Sequence, residues 1–289
     1  MSRIHDALKK AEAEQSNHAD DSSVRLASAR EIEPPPSHAA DSSAPSFAAP
    51  FTFEALLERC PVGQWSPDST TMLFFGPNDY EAQETFRTLR SRLYQIREKQ
   101  PLKKIMITSA MGNEGKSFVA ANLAQVLVQQ QGQKVLLIDA DLRNPQLHAA
   151  LGTSPTPGFT DYLMGKTEEF AVLQRGPMEG LFFLPAGRVV ASPLELIASG
   201  RLNTLLDRME PIFDWIIIDS SPAVQVSDAG QLATNCDGVL MVVRSDATPF
   251  DWAQRARDEF PRGKIIGVVL NAVDAKALSS ADGSDIRER

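Results

Sequence analysis

One stretch, Thr108-Ser-Ala-Met-Gly-Asn-Glu-Gly-Lys-Ser117, constrains this chain more than any other. It is preceded by the β-rich apolar run Ile105-Met-Ile-Thr108 and followed by a good helix former, Phe118 to Val128. A strand, a glycine loop ending in Gly-Lys-Ser and then a helix is the context in which such a loop cradles phosphates. Its backbone N–H groups and the helix N-terminus together make an anion site. Lys116 is placed to reach the β- and γ-phosphates and Ser117 to ligate Mg²⁺, so Gly112, Asn113, Glu114, Gly115, Lys116, Ser117 and Phe118 form the expected nucleotide segment. Ala110 stands where the first glycine of the usual spacing falls, and Gly112 is additional. The plain alternative is an ordinary glycine turn between a strand and a helix.

Two further apolar runs end in acid. Val135-Leu-Leu-Ile138 leads into Asp139-Ala-Asp141-Leu-Arg143, and Trp215-Ile-Ile-Ile218 leads into Asp219. Carboxylates at the carboxyl ends of parallel strands face the ligand crevice of an open α/β sheet. Asp219 is the expected Mg²⁺ carboxylate, with Asp139 near the same ion, and Asp139 or Asp141 can take a proton from an attacking hydroxyl. An Asp in either place could instead cap the next helix. Gly238 to Val243 and Ile265 to Leu270 read as buried strands on either side of a helix around 250–260. Strands alternating with helices predict a mostly parallel sheet with helices on both faces, an α/β P-loop NTPase fold. Asn271 follows the last strand, where it can read an adenine edge or simply make a turn.

Residues 1–50 read as a separate extension. Ile4, Leu8 and Ala11 share one face of a short helical pattern, and the stretch from 16 to 50 is rich in Ser, Ala, Asp and Pro, a flexible linker by composition. The core domain is expected over 51–275, with a flexible tail over 276–289. Within the approach, Phe51 to Glu58 predicts a short helix, Met72 to Phe75 a strand or extended arm, and Glu81 to Lys99 a helix whose stripe is Ala82, Phe86, Leu89, Leu93 and Ile96. Glu84, Arg87 and Arg90 lie outside that stripe, available for an intrahelical pair or an intersubunit contact. The net charge of −8 over 289 residues argues against a nucleic-acid partner. Cys60 and Cys236 match no metal spacing and read as free thiols, and with neither a secretory signal nor a membrane span in view the expectation is a cytoplasmic protein.

Asp139-Ala-Asp-Leu-Arg-Asn-Pro145, set between the Gly112–Ser117 loop and Ile218-Asp-Ser-Ser-Pro222, resembles the bacterial tyrosine kinases of capsule and exopolysaccharide export, the separate CpsD/CapB-like type above all. Glu84-x2-Arg87-x2-Arg90, Gly158-Phe-Thr-Asp-Tyr-Leu-Met-Gly165, Leu184-Pro-Ala-Gly187, Ser192-Pro-Leu-Glu-Leu196 and Val226-Ser-Asp-Ala229 extend the likeness over about residues 75 to 275. The resemblance implies a tyrosine autokinase using ATP and Mg²⁺, with Lys116, Asp139, Asp141 and Asp219 as its catalytic set. It further implies self-association into a ring through the Glu84/Arg87/Arg90 helix. A membrane-embedded chain-length regulator is the implied activator, holding the protein at the inner face of the cell membrane. Two departures stand out: the only tyrosines are Tyr80, Tyr94 and Tyr162, none in the tail, and Asp219-Ser-Ser-Pro222 lacks one proline of the family pattern. The competing functions are an ATPase switch of the partition and division-site type, and a nucleotide-gated scaffold. The first usually carries a lysine early in the loop, absent from Ser109-Ala-Met111.

Overall fold

The computed structural model describes residues 51–69, 71–74 and 80–273. The expected N-terminal helix and linker, Phe75 and the tail over 276–289 lie outside the described residues. In chain order the elements are α1 (Phe53–Arg59), α2 (Tyr80–Arg97), β1 (Lys104–Ser109), α3 (Lys116–Val128), β2 (Val135–Asp139), α4 (Leu147–Ala150), α5 (Phe159–Leu163), α6 (Glu169–Val172), β3 (Gln174–Arg175) and β4 (Leu181–Leu184). They continue with α7 (Pro193–Ile197), α8 (Arg201–Met209), β5 (Trp215–Asp219), α9 (Asp228–Ala233), β6 (Gly238–Arg244), α10 (Phe250–Asp258) and β7 (Ile265–Asn271).

The strands form one sheet in the order β3-β4-β2-β5-β1-β6-β7. Every pairing is parallel except β3 with β4. Parallel strands need crossovers, and the intervening helices cover both faces, as the alternation of strands and helices predicts. Alternate side chains of β1 show the two layers. Ile105 and Ile107 pack with Phe86 and Leu93 of α2 and with Val119, Leu123 and Val126 of α3. Met106 points the other way, into a core with Leu205 and Met209 of α8 and Leu232 of α9. Because α3 lies between the sheet and α2, it is apolar all round rather than amphipathic, and all but two of its residues are buried.

Three expectations need correction or addition. The last strand is not buried: β7 pairs only with β6 at the sheet edge, and Val268 and Leu270 are 58% and 57% exposed. Residues 71–74 are a turn rather than a strand, because side chains take the backbone groups a ladder would use. Leu73 N–H donates to Asn122 Oδ1 at 2.9 Å, Asn122 Nδ2 donates to Thr71 O at 2.9 Å, and Gln83 Nε2 donates to Leu73 O at 2.7 Å. The strands β3 and β4 were not foreseen; at two and four residues they carry too little pattern to read.

The 80–97 helix carries its stripe inward as expected. Of the polar triplet on it, Arg87 pairs with Glu84 at 3.0 Å, the intrahelical alternative. Arg90 Nη1 donates to Val126 O at 2.9 Å, a cation on the last turn of α3 where the carbonyls and the helix dipole favour one.

Candidate active site

The loop after β1 owes its shape to two residues in the left-handed region, Asn113 at φ 63° and Gly115 at φ 96°. Asn tolerates that conformation better than most side chains, and Gly adopts it freely. Ala110 is fully buried in the core and has no positive φ, so that position does not require glycine here. Gly115 is needed for a second reason: a Cβ there would lie 2.0 Å from Asn271 Nδ2, which donates to Glu114 O at 2.9 Å. Asn271 therefore clamps the loop from the end of β7; its amide turns to the loop backbone. Gly115→Ala should cost both backbone strain and this clamp. We expect a loss of at least ~10-fold in affinity for a fluorescent ATP analogue, read by titration, with a drop in melting temperature smaller than for a core cavity.

Glu114 is 3% exposed and serves the loop. Its Oε2 accepts from Met111 N–H at 2.7 Å, and its Oε1 accepts from the Thr248 hydroxyl. Arg244 Nη1 adds a contact to Asn113 O at 3.3 Å. These braces come from β6 and the turn beyond it.

The buried acids gather at the adjoining ends of β2 and β5. Asp139 and Asp219 are register partners, so their carboxylates emerge side by side at the carboxyl end of the sheet. Asp219 is fully buried; its Oδ2 accepts from Ser117 Oγ at 2.5 Å, while its Oδ1 has no hydrogen-bond partner among the described residues. A buried carboxylate oxygen without a donor, beside a hydroxyl at the start of the loop helix, is a donor set that fits a hard divalent cation. Asp139 is also fully buried, but both its oxygens are engaged by backbone N–H groups, Asp141 at 3.2 Å and Leu147 at 3.2 Å. It folds the 140–147 segment onto the strand end, the capping alternative. Asp141 takes Asn144 N–H at 3.1 Å through Oδ1, and its Oδ2 stands 4.0 Å from Lys116 Nζ.

Burial and crowding raise all three acids. Burial pushes Asp219 up to about 7 against the pull of Lys116 and the Ser117 hydroxyl. Asp139 is raised well above the usual carboxylate range by burial and then by Asp219 and Asp141, and burial raises Asp141 despite Lys116.

A cavity of 320 Å³ opens over this cluster. Gly112, Asn113, Gly115, Lys116, Ser117 and Phe118 line it from the loop and its helix and Asp141 from the segment just after β2, whereas Asp139, Asp219, Glu114 and Asn271 do not reach its wall. Across it lie Arg143 and Gln225. Arg143 had no role in the sequence reading. It makes a bidentate pair with Asp228, Nε to Oδ2 at 2.6 Å and Nη2 to Oδ1 at 3.1 Å, which ties the 140–146 segment to the start of α9. Asp228 is 2% exposed, so Arg143→Met leaves a buried carboxylate unpaired. The expected cost is about 1–3 kcal/mol in denaturant unfolding, most of it recovered by the additional change Asp228→Asn. Only the meeting of two stretches 85 residues apart could have revealed the pair.

Two of the sequence stretches away from the cavity also meet. Phe159 N–H donates to Pro185 O at 2.7 Å and Thr160 N–H to Ala186 O at 2.9 Å, and a Cβ on Gly158 would fall 2.4 Å from Gly187 N. That backbone approach requires the glycine. Cys60 and Cys236 are buried and unpaired, each thiol pushed up to about 12 chiefly by burial.

A parallel sheet with a glycine loop feeding a buried helix, and acids at the neighbouring strand ends, defines a nucleotide-binding P-loop domain. In agreement, residues 105–289 match the family model described as CobQ/CobB/MinD/ParA nucleotide binding domain. The chain is 36% identical over 190 residues to the tyrosine-protein kinase YwqD of Bacillus subtilis, covering 65% of this chain and 80% of that one. It is 30% identical over 212 residues to the tyrosine-protein kinase CpsD of Streptococcus agalactiae, covering 72% and 91%. Among solved structures, the kinase domain of the Escherichia coli tyrosine kinase ETK superposes with a TM-score of 0.61 at 33% identity, covering 68% of this chain and 78% of that one. The chain belongs to the bacterial protein-tyrosine kinases, a branch of the P-loop nucleotide-binding domains. No helix among the described residues is long and apolar enough to cross a membrane.

Proposed function

We propose that this chain transfers the γ-phosphoryl group of ATP to tyrosine, and that it does so as a regulator of exopolysaccharide or capsule polymerisation and export. The observation that carries the reading is the convergence of Lys116, Ser117 and Asp141 on one cavity at the glycine loop, with Asp219 directly behind. The loop N–H groups and the N-terminus of α3 hold the phosphate oxygens, and Lys116 takes up charge on the β- and γ-phosphates. Ser117 and Asp219 would hold Mg²⁺, which supplies charge neutralisation on the phosphates when bound. Asp141, on the cavity wall and 4.0 Å from Lys116, accepts the tyrosyl proton. Its raised proton affinity suits that task. Asp139 positions Asp141 and the segment beyond by holding their backbone N–H groups. Most of the acceleration then comes from placement and fixed charge.

Self-association would run along the outer face of α2, where Glu84 and Arg87 are accessible, and the activating partner would be a membrane chain-length regulator of polysaccharide export. Arg87→Glu is expected to shift the chain toward monomer in sedimentation velocity while leaving the melting temperature within about 1–2 °C, since an exposed intrahelical pair contributes only a few tenths of a kcal/mol. An unchanged oligomeric state would remove α2 as the contact.

A bisubstrate analogue, with a tyrosine peptide joined to the γ-phosphate of ATP, tests the reading directly. A kinase should bind it at least ~10-fold more tightly than the ATP analogue alone, because both halves of the transfer geometry are filled. Equal affinity would mean that no tyrosine site adjoins the phosphate cavity.

A further inference from the structure

We propose that Tyr80 is this chain's own phosphoacceptor, an inference that rests on the kinase reading above. The chain has three tyrosines, and all three are described. Two are unsuited to meet a donor. Tyr162 is 2% exposed, its hydroxyl directed at Glu169 at 3.4 Å, its ring lying under the Arg201 guanidinium, and its phenol pushed up by burial and by Glu169. Tyr94 is half-buried edge-on against Trp215, and its hydroxyl both donates to Gln133 Oε1 at 3.1 Å and accepts from Trp215 Nε1 at 3.3 Å. Trp215 opens β5, so Tyr94 also lies at the end of the sheet away from Asp219.

Tyr80 differs on each count. It is 70% exposed and is the first residue of α2. The helix runs alongside α3 in the same direction: Phe86 packs on Phe118 with ring centroids 5.8 Å apart, and Arg90 reaches Val126 O. Phe118 belongs to the first turn of the loop helix and lines the phosphate cavity. The six residues from Phe86 back to Tyr80 span about 9 Å of helix, so Tyr80 projects past the start of α3 at the nucleotide end of the sheet. In the transfer, Tyr80 Oη bonds to the γ-phosphorus of ATP. The bond from that phosphorus to the bridging oxygen breaks, ADP leaves with its electron pair, and the phenolic proton passes through a carboxylate to water. The new phosphate stands at the N-terminus of an eighteen-residue helix, with the Arg87 guanidinium 5.7 Å from the Tyr80 ring. The helix dipole and Arg87 favour it there, while Glu81 and Glu84 oppose it. Phosphorylation therefore draws Arg87 away from Glu84 and rewrites the charge on the outer face of α2.

The test is to incubate the full chain with Mg²⁺ and labelled ATP and map phosphotyrosine by mass spectrometry, beside Tyr80→Phe, Tyr94→Phe and Tyr162→Phe. A Glu/Tyr copolymer is offered to each in parallel. Tyr80→Phe should lose at least ~10-fold of the self-label while phosphorylating the copolymer at the wild-type rate, and Tyr94→Phe should keep its label. Self-label that survives in Tyr80→Phe, or maps to Tyr94 or Tyr162, overturns the assignment. So does copolymer phosphorylation without any self-label, and in both cases the kinase reading stands. Label on neither substrate overturns the kinase reading and the assignment together.

Discussion

Lys116→Met should abolish phosphoryl transfer, by ~10³-fold or more in kcat/KM, while the purified protein keeps its melting temperature to within a few degrees. The side chain is 7% exposed at the first position of α3, with its ammonium 4.0 Å from Asp141 and facing the cavity over the loop. Among the described residues no other lysine lines that cavity, and the arginine across it, Arg143, is already committed to Asp228. Loss of Lys116 thus removes a cation that faces the cavity, held only at 4.0 Å by Asp141, and is positioned to take up charge as the γ-phosphoryl group moves. Methionine preserves the stem's packing, so the fold should tolerate the change. Initial rates over a range of ATP concentrations would separate the effects: a fall mainly in kcat places the interaction in the transition state, and a rise in KM alone places it in ground-state binding.

Asp219→Asn should remove activity and stabilise the empty protein at once. Asp219 is fully buried, with Oδ1 unpartnered, and burial lifts its pKa from 3.8 to about 7. Since the folded form holds the proton more tightly than the unfolded chain, the sign is fixed. This contribution is fully present below about pH 4 and is lost as pH rises to about 7. The rise to about 7 sets a ceiling of ~4 kcal/mol, shared with the neighbouring acids. Without nucleotide or metal, Asp219→Asn should therefore melt higher than wild type at pH 8, by about 5 °C, and close to it at pH 4.5. Turnover should fall by ~10²-fold or more, because the amide is a poor substitute for a carboxylate behind the phosphates. Equal melting curves at pH 8 would mean that the carboxylate is better compensated than its orphaned oxygen implies. The site thus stores an unfavourable buried charge at neutral pH that a bound divalent cation would relieve.

The sequence reveals the fold wherever an apolar run is long and bounded by chemistry. β1, β2, β5 and β6 are such runs, and each ends at a loop, acid or turn that locates it. β4 has four residues and β3 two, too short for periodicity to register. Burial of β7 could not be read from composition, because Val268 and Leu270 are as apolar as any core residue; only its place at the sheet edge leaves them exposed. At the site, the placement of Lys116, Ser117 and Asp219 was legible, because it follows from their own positions in the motifs. Residues whose role depends on a distant partner were not. Glu114 is read as a phosphate-loop residue but braces the loop through Thr248, 134 positions away, and Asn271 clamps Glu114 O across 157. Asp139 and Asp141 look equivalent in sequence, yet backbone N–H groups occupy both oxygens of the first, whereas Oδ2 of the second stands 4.0 Å from Lys116 Nζ on the cavity wall.

The most direct test of the central claim follows where the γ-phosphate goes. Labelled ATP, Mg²⁺ and the full chain are combined with and without a tyrosine acceptor, and phosphotyrosine and free phosphate are counted in the same samples. Phosphotyrosine should accumulate, ATP consumption should rise when acceptor is added, and both should vanish in Lys116→Met. Free phosphate released at one rate whether or not acceptor is present, with no phosphotyrosine formed, would contradict the claim and leave an ATP-hydrolysing switch in its place.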